Sequence, residues 1–259
     1  MYRVPHAMTG VAWITGASSG LGKALALRMA REGWRVAVSA RGADKLAELE
    51  RAAADGPGSI HAMPLDVTDA AATAATIARI EDEIGPIDQA VLNAGSHTPV
   101  RASALKIEDF RALVELNLMG TVHCLSPLLA RMTARRSGRI AIVASVAGYR
   151  GLPTSGAYGM TKAGLINLAE ALKPELDGLG VTLQIVNPGF VRTPLTDRNP
   201  FPMPFLMDVD DAAAALYRGL LSQRFEIVFP RRLAYIMKVL RCLPAPLAFA
   251  LTRRLVPQA

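Results

Sequence analysis

Cysteine is nearly absent: Cys124 and Cys242 are the two in 259 residues, and neither belongs to a CxxC pair. Two thiols build no disulfide framework, so a reduced, cytoplasmic setting is expected. No predominantly apolar run reaches the roughly 18 residues that a bilayer span needs. Residues 4–22 lack Asp, Glu, Lys and Arg but hold four Gly, one Pro and several hydroxyls, which is not the composition of a signal segment. Gly and Pro total 38, too few for a low-complexity chain. Acidic residues are missing from 231–259, whereas Arg231, Arg232, Lys238, Arg241, Arg253 and Arg254 all lie there. That stretch carries +6 of the net +7, leaving +1 for the other 230 residues. A basic surface for nucleic acid is therefore not expected.

What is present is a large apolar fraction, 51%, arranged as short apolar runs alternating with longer helical segments. Val11–Thr15, Trp34–Ala40, Ile60–Leu65, Gln89–Asn93, Arg139–Ser145, Thr182–Asn187 and Glu226–Phe229 read as strands. Helices are expected over 21–31, 44–54, 69–84, 107–135, 157–178 and 208–222. Strands that are apolar throughout belong to a sheet covered on both faces, and alternation with helices implies right-handed βαβ units. The expectation is an α/β fold: one doubly wound, three-layer Rossmann domain of about seven parallel strands over 1–230. Residues 231–259 are expected to form a basic, amphipathic helical extension around Pro244 and Pro246.

Thr15-Gly-Ala-Ser-Ser-Gly-Leu-Gly22 joins the first strand to the first helix. Glycines permit a tight turn there, and the unpaired N–H groups of the helix start favour an anion such as a pyrophosphate. A Walker A loop would need Gly at position 17 and Ser or Thr at position 24, where Ala17 and Ala24 stand. The spacing of Gly16, Gly20 and Gly22 also misses the GxGxxG fingerprint. Gly16–Gly20 matches the GxSxG elbow of hydrolases, but that order needs an acid and then a histidine downstream, and the last histidine is His123. Farther along, Tyr158-Gly-Met-Thr-Lys162 places a phenol and an ammonium on one helix face, where the cation would favour phenolate. Ser145 ends a strand thirteen residues earlier, at the sheet edge where α/β sites are built.

With Leu65-Asp66-Val67, Asn93-Ala-Gly95, Asn117 and Asn187-Pro-Gly-Phe-Val-Arg-Thr193, these motifs make residues 9–230 resemble the classical short-chain dehydrogenase/reductase family. The resemblance implies a catalytic tetrad of Asn117, Ser145, Tyr158 and Lys162. Tyr158 would exchange a proton with the substrate oxygen, and Ser145 would hydrogen-bond that oxygen. Lys162 would hold the nicotinamide ribose and lower the Tyr158 pKa, while Asn117 would order a relaying water. Dinucleotide contacts are implied for Gly16, Ser18, Ser19, Gly20, Leu21 and Gly22, for Asp66 and Val67, and for Asn93, Ala94 and Gly95. Tyr158, Lys162, Pro188, Gly189, Val191 and Thr193 would surround the nicotinamide end. At the second strand's end, Ala40 stands where NAD enzymes carry an acid, and Arg41 follows. A guanidinium there suits a 2′-phosphate, so NADP(H) is the expected cofactor, with no metal.

Taken together, these features suggest an NADP(H)-dependent oxidoreductase that interconverts a carbonyl and a secondary alcohol. The alternative is a catalytically silent NADP(H)-binding regulatory or scaffold protein. Family habit implies a homodimer or homotetramer. Phe190, Leu195, Phe201, Pro202, Met203, Pro204, Phe205 and Leu206 suggest either an apolar substrate pocket or ordinary packing of a Pro-rich loop. Pro174 is expected to kink or end the helix that starts near Tyr158. The tail is open to three roles: capping the substrate pocket, packing on a second subunit, or lying peripherally on a membrane.

Overall fold

The computed structural model describes residues 9–198 and 203–256. Phe201 and Pro202 lie outside the described residues. Seven parallel strands form one sheet: β1 (Val11–Thr15), β2 (Arg35–Ser39), β3 (Ser59–Ala62), β4 (Ile87–Leu92), β5 (Gly138–Val143), β6 (Val181–Pro188) and β7 (Glu226–Phe229), in the order β3-β2-β1-β4-β5-β6-β7. The five inner strands β1, β2, β4, β5 and β6 are mostly buried because helices cover both faces, which is why their runs are apolar rather than alternating. One face packs Trp13, Leu92, Ile140 and Ile185 with Leu128 and Leu165 of the helices above it. The other packs Ile14, Val36, Val91 and Val186 with Leu25, Met29 and Leu216.

The helices are α1 (Gly20–Arg31), α2 (Ala43–Ala52), α3 (Ala70–Glu83), α4 (Ile107–Leu113), α5 (Gly120–Ala134), α6 (Gly156–Gly178), α7 (Val209–Leu220), α8 (Arg231–Cys242) and α9 (Ala245–Thr252). The chain winds outward from β1 through β2 to β3, then returns to β4 on the other side of β1. That reversal opens a crevice between β1 and β4 at the strands' C-terminal ends, where ligands bind in such sheets.

Three expectations are corrected. α6 does not end at Pro174 but continues to Gly178. The proline removes a single N–H, and Leu176 beyond it is buried in the core, so packing keeps the last turn helical. Second, the helical run Ile107–Ala134 does have the length and apolar character of a bilayer span, which the sequence reading missed because Glu115, Asn117 and His123 interrupt it. Its Cys124, Leu125, Leu128 and Met132 are packed into the core over the sheet, which accounts for that apolar character. Third, α9 is not amphipathic: Ala245–Leu251 is apolar on every face, exposing Leu247, Phe249 and Leu251.

Candidate active site

The loops leaving β1, β4, β5 and β6 converge on one cleft of about 1340 Å³. At its base, Gly16 holds φ +67°, and a methyl group there would stand 2.8 Å from the Ala94 Cα. The loop after β1 can therefore lie against the loop after β4 only if position 16 is glycine. Thr15 and Asn93 lace the two together: the Asn93 amide donates to the carbonyls of Thr15 (3.0 Å) and Gly16 (3.2 Å), and the Thr15 hydroxyl accepts from the backbone of Asn93 and Ala94. Ser19 precedes α1 in an extended conformation without capping it through its side chain, and no acid occupies the first turn. Gly16, Ser19, Gly20 and Leu21 line the cleft at this helix start, a cradle whose N–H groups and dipole fit the pyrophosphate of a nicotinamide dinucleotide.

The supposed reacting groups come together on the other side. α6 carries Tyr158 and, one turn on, Lys162, whose ammonium lies 5.6 Å from the Tyr158 ring centroid and donates to the Val143 carbonyl at 2.8 Å. Ser145, just beyond β5, accepts from the Ala147 N–H (3.1 Å) and donates to the Pro188 carbonyl (3.3 Å), which aims its oxygen along the cleft wall beside Tyr158. Asn117 sits fully buried in a π-helical turn, Val114–Met119, between α4 and α5. Its amide is satisfied by the Ser96 N–H (2.8 Å), the Ser96 carbonyl (3.0 Å) and the Thr161 hydroxyl (3.0 Å). Gly95 separates Asn117 from Lys162: a methyl group on it would approach the Asn117 Oδ1 to 3.1 Å and the Lys162 Nζ to 3.4 Å.

Burial dominates the electrostatics. It pushes the Lys162 ammonium down to about 8. It also pushes the Tyr158 phenol above its ordinary value, with the Ser145 hydroxyl pulling the other way. Burial thus acts against the lowering that the family resemblance implies for Tyr158, because a buried phenolate loses hydration.

The remaining expected contacts divide. Asn93, Gly95, Pro188, Gly189, Val191 and Thr193 line the cleft. Ser18, Gly22, Arg41, Asp66, Val67 and Ala94 do not. Gly22 packs under the loop against Gly16 and Asn93, and Val67 is buried with its carbonyl 3.0 Å from His123 Nδ1. Arg41 is exposed at the end of β2, close enough to Asp66 for its charge to be felt there. The Asp66 carboxyl is held below its ordinary value chiefly by the Thr68 N–H, with burial opposing and the Thr68 hydroxyl and Arg41 assisting.

Among the cleft residues one was not foreseen, and another group fills a role that the sequence left open as one of three. His97 is buried edge-on to Tyr158, with ring centroids 4.8 Å apart; a lone histidine near the Asn93-Ala-Gly95 motif was the available signal. The tail also enters the cleft wall. α8 buries Leu233, Ala234 and Met237 in the sheet's core, and Leu233 presses on Gly189. A polar cluster ties it down: Glu226 of β7 accepts from Tyr149, from Lys238 of α8 and from the Asn187 amide (2.8 Å). Burial pushes the Glu226 carboxyl up, but these donors outweigh it and hold it below its usual range. Of the apolar loop after β6, Phe190, Leu195, Met203 and Pro204 face the cleft, whereas Phe205 is exposed. Its ends are pinned where Met207 donates to the Phe190 carbonyl and Arg192 to the Met207 carbonyl.

Known proteins are similar to this chain. The chain is 39% identical over 244 residues to an uncharacterized oxidoreductase of Myxococcus xanthus, covering 94% of this chain and 96% of that protein. It is 35% identical over 192 residues to a 3-oxoacyl-[acyl-carrier-protein] reductase of Staphylococcus aureus, covering 73% and 78%. Among solved structures, a short-chain dehydrogenase from Sphingobium yanoikuyae in complex with NADPH superposes with a TM-score of 0.80 at 26% identity, over 96% of this chain and 97% of that one. The family described as short chain dehydrogenase matches residues 10–200. This chain belongs to the short-chain dehydrogenase family.

Proposed function

We propose that the protein is an NADP(H)-dependent oxidoreductase that interconverts a carbonyl and a secondary alcohol on an apolar substrate. The observation that carries this reading is the meeting of Tyr158, Ser145 and Lys162 at the cleft wall that continues from the α1 cradle. Lys162, Val191 and Thr193 would hold the nicotinamide end of the cofactor, which would supply or accept hydride when bound. Tyr158, kept protonated by burial, donates its phenolic proton to the carbonyl oxygen and takes it back in the oxidative direction. Ser145 hydrogen-bonds the same oxygen where negative charge develops. Lys162 would hold the ribose end of the cofactor, and Asn117 positions the Ser96 backbone and Thr161 beside it.

Support for the phosphorylated cofactor comes from Arg41, exposed beyond Ala40 where no acid stands to repel a 2′-phosphate. The Sphingobium relative, solved with NADPH, points the same way. An apolar substrate follows from Leu152, Phe190, Leu195 and Met203 lining the cleft near Tyr158. A homodimer or homotetramer fits the exposed Met119, Val122 and Met160 on neighbouring helices.

Tyr158→Phe tests the reading. NADPH binding, followed by fluorescence, is expected to persist while turnover over a panel of carbonyls of graded chain length falls by at least 10²-fold. A wild-type chain that binds NADPH yet turns over nothing on that panel would make the silent-binder alternative correct.

A further inference from the structure

We propose that the C-terminal helices dock the protein on an anionic membrane surface, with the mouth of the cleft opening toward the lipid. Six apolar tail residues both line the cleft and stand in the open: Tyr235, Ile236, Val239, Leu251, Leu255 and Val256. Tyr235 is 66% exposed and Val239 63%. Leu247 and Phe249, 57% and 61% exposed, add apolar surface on α9 outside the cleft, with the Arg150 guanidinium 5.9 Å from the Phe249 ring centroid. An exposed apolar surface of this extent marks an interaction site rather than ordinary surface.

Three observations select the occupant. The tail carries six basic residues and no acid, which suits anionic headgroups. A second copy joined through this face about a two-fold axis would set two such charges against each other. α8 is not available to fold elsewhere, because Leu233, Ala234 and Met237 are in the core and Lys238 is held by Glu226. Apolar side chains beside the five bases outside the Lys238–Glu226 pair are the chemistry of an interfacial segment, whereas an acidic protein partner would use the charge and leave the apolar surface wet. The continuity of exposed surface and cleft lining gives a lipid-dissolved carbonyl or alcohol a route that avoids water. That consequence rests on the proposed function, but the docking itself does not.

Co-sedimentation of the full chain, saturated with NADPH, is the test. Vesicles are pure phosphatidylcholine or one-third phosphatidylglycerol. The bound fraction is expected to be at least tenfold higher on the anionic vesicles and to fall severalfold at about 1 M salt. Leu247→Asp with Phe249→Asp should lower it about tenfold, as should Arg231→Gln with Arg232→Gln and Arg253→Gln. Each variant should keep the wild-type thermal shift with NADPH, which shows that it is folded. Tyr158→Phe should sediment like wild type, separating failed docking from failed catalysis. Equal partitioning on both vesicles, or anionic binding unchanged by both variant sets, overturns the proposal. So does a chain that ignores vesicles but binds acyl carrier protein, or one that self-associates through α9 until Leu247 and Phe249 are replaced.

Discussion

At the scale of single residues, Lys162 couples burial to chemistry. The residue is 4% exposed and its pKa falls from 10.5 to about 8, so the folded chain gives up this proton more readily than the unfolded one. Between pH 8 and 10.5 the unfolded state binds more protons, and folding stability must rise with pH across that window. Below it, holding the charge costs the fold up to about 3 kcal/mol. Urea unfolding should therefore show wild type gaining on Lys162→Met from pH 8 to 10.5, and a constant gap between the two would contradict the assignment. The same proton bears on turnover. Tyr158 stays a phenol because its pKa is raised, so the loss of charge on Lys162 comes first. Carbonyl reduction should lose kcat/KM as the pH climbs past about 8, and a flat profile to pH 10 would remove Lys162 from cofactor binding.

Individual elements show packing overriding local preference. The 23-residue helix α6 carries an exposed proline at 174 because Leu165, Ile166, Ala169 and Leu176 on either side of it are buried. Pro174→Ala restores an N–H to the ladder and should raise unfolding stability by roughly 1 kcal/mol, below the ~3 of a mid-helix site because only one turn follows. Differential scanning calorimetry reads the change; a lower Tm would mean that the proline ring itself packs. The π-helical turn at Asn117 is the opposite case, a widened turn that lets a buried amide reach Ser96 and Thr161. Periodicity over 107–135 predicts helix there, but an extra residue in one turn leaves no mark on the apolar pattern.

For the molecule as a whole, the cleft joins loops from both halves of the sheet, so cofactor binding should stabilise the entire fold. NADPH at about a hundred times its Kd contributes roughly 2.7 kcal/mol and should raise Tm by roughly 5 °C in a chain of this size. NADH at the same concentration should raise it far less. Arg41→Ala should weaken NADPH binding by roughly 10- to 100-fold and bring the two shifts together, as loss of a charge-assisted contact requires. Equal shifts for both cofactors in wild type would refute the preference for the phosphorylated form.

Legibility followed range. Strand and helix identity, the parallel sheet, the glycine loop and the spacing of Tyr158 from Lys162 were decided by residues close together in the chain, and these could be read directly. Sequence also determined that two cysteines build no disulfide framework and that charge collects in the tail. Tertiary structure alone decided what burial does to Tyr158, that His97 stands edge-on to it, and that Asn187, Tyr149, Glu226 and Lys238 share one cluster. It alone brought the tail, about 80 residues beyond Tyr158, into the wall of the same cleft. The physical reason is that hydration loss and contact depend on neighbours in space, and neighbours distant in the chain are chosen only when the sheet closes beneath its helices.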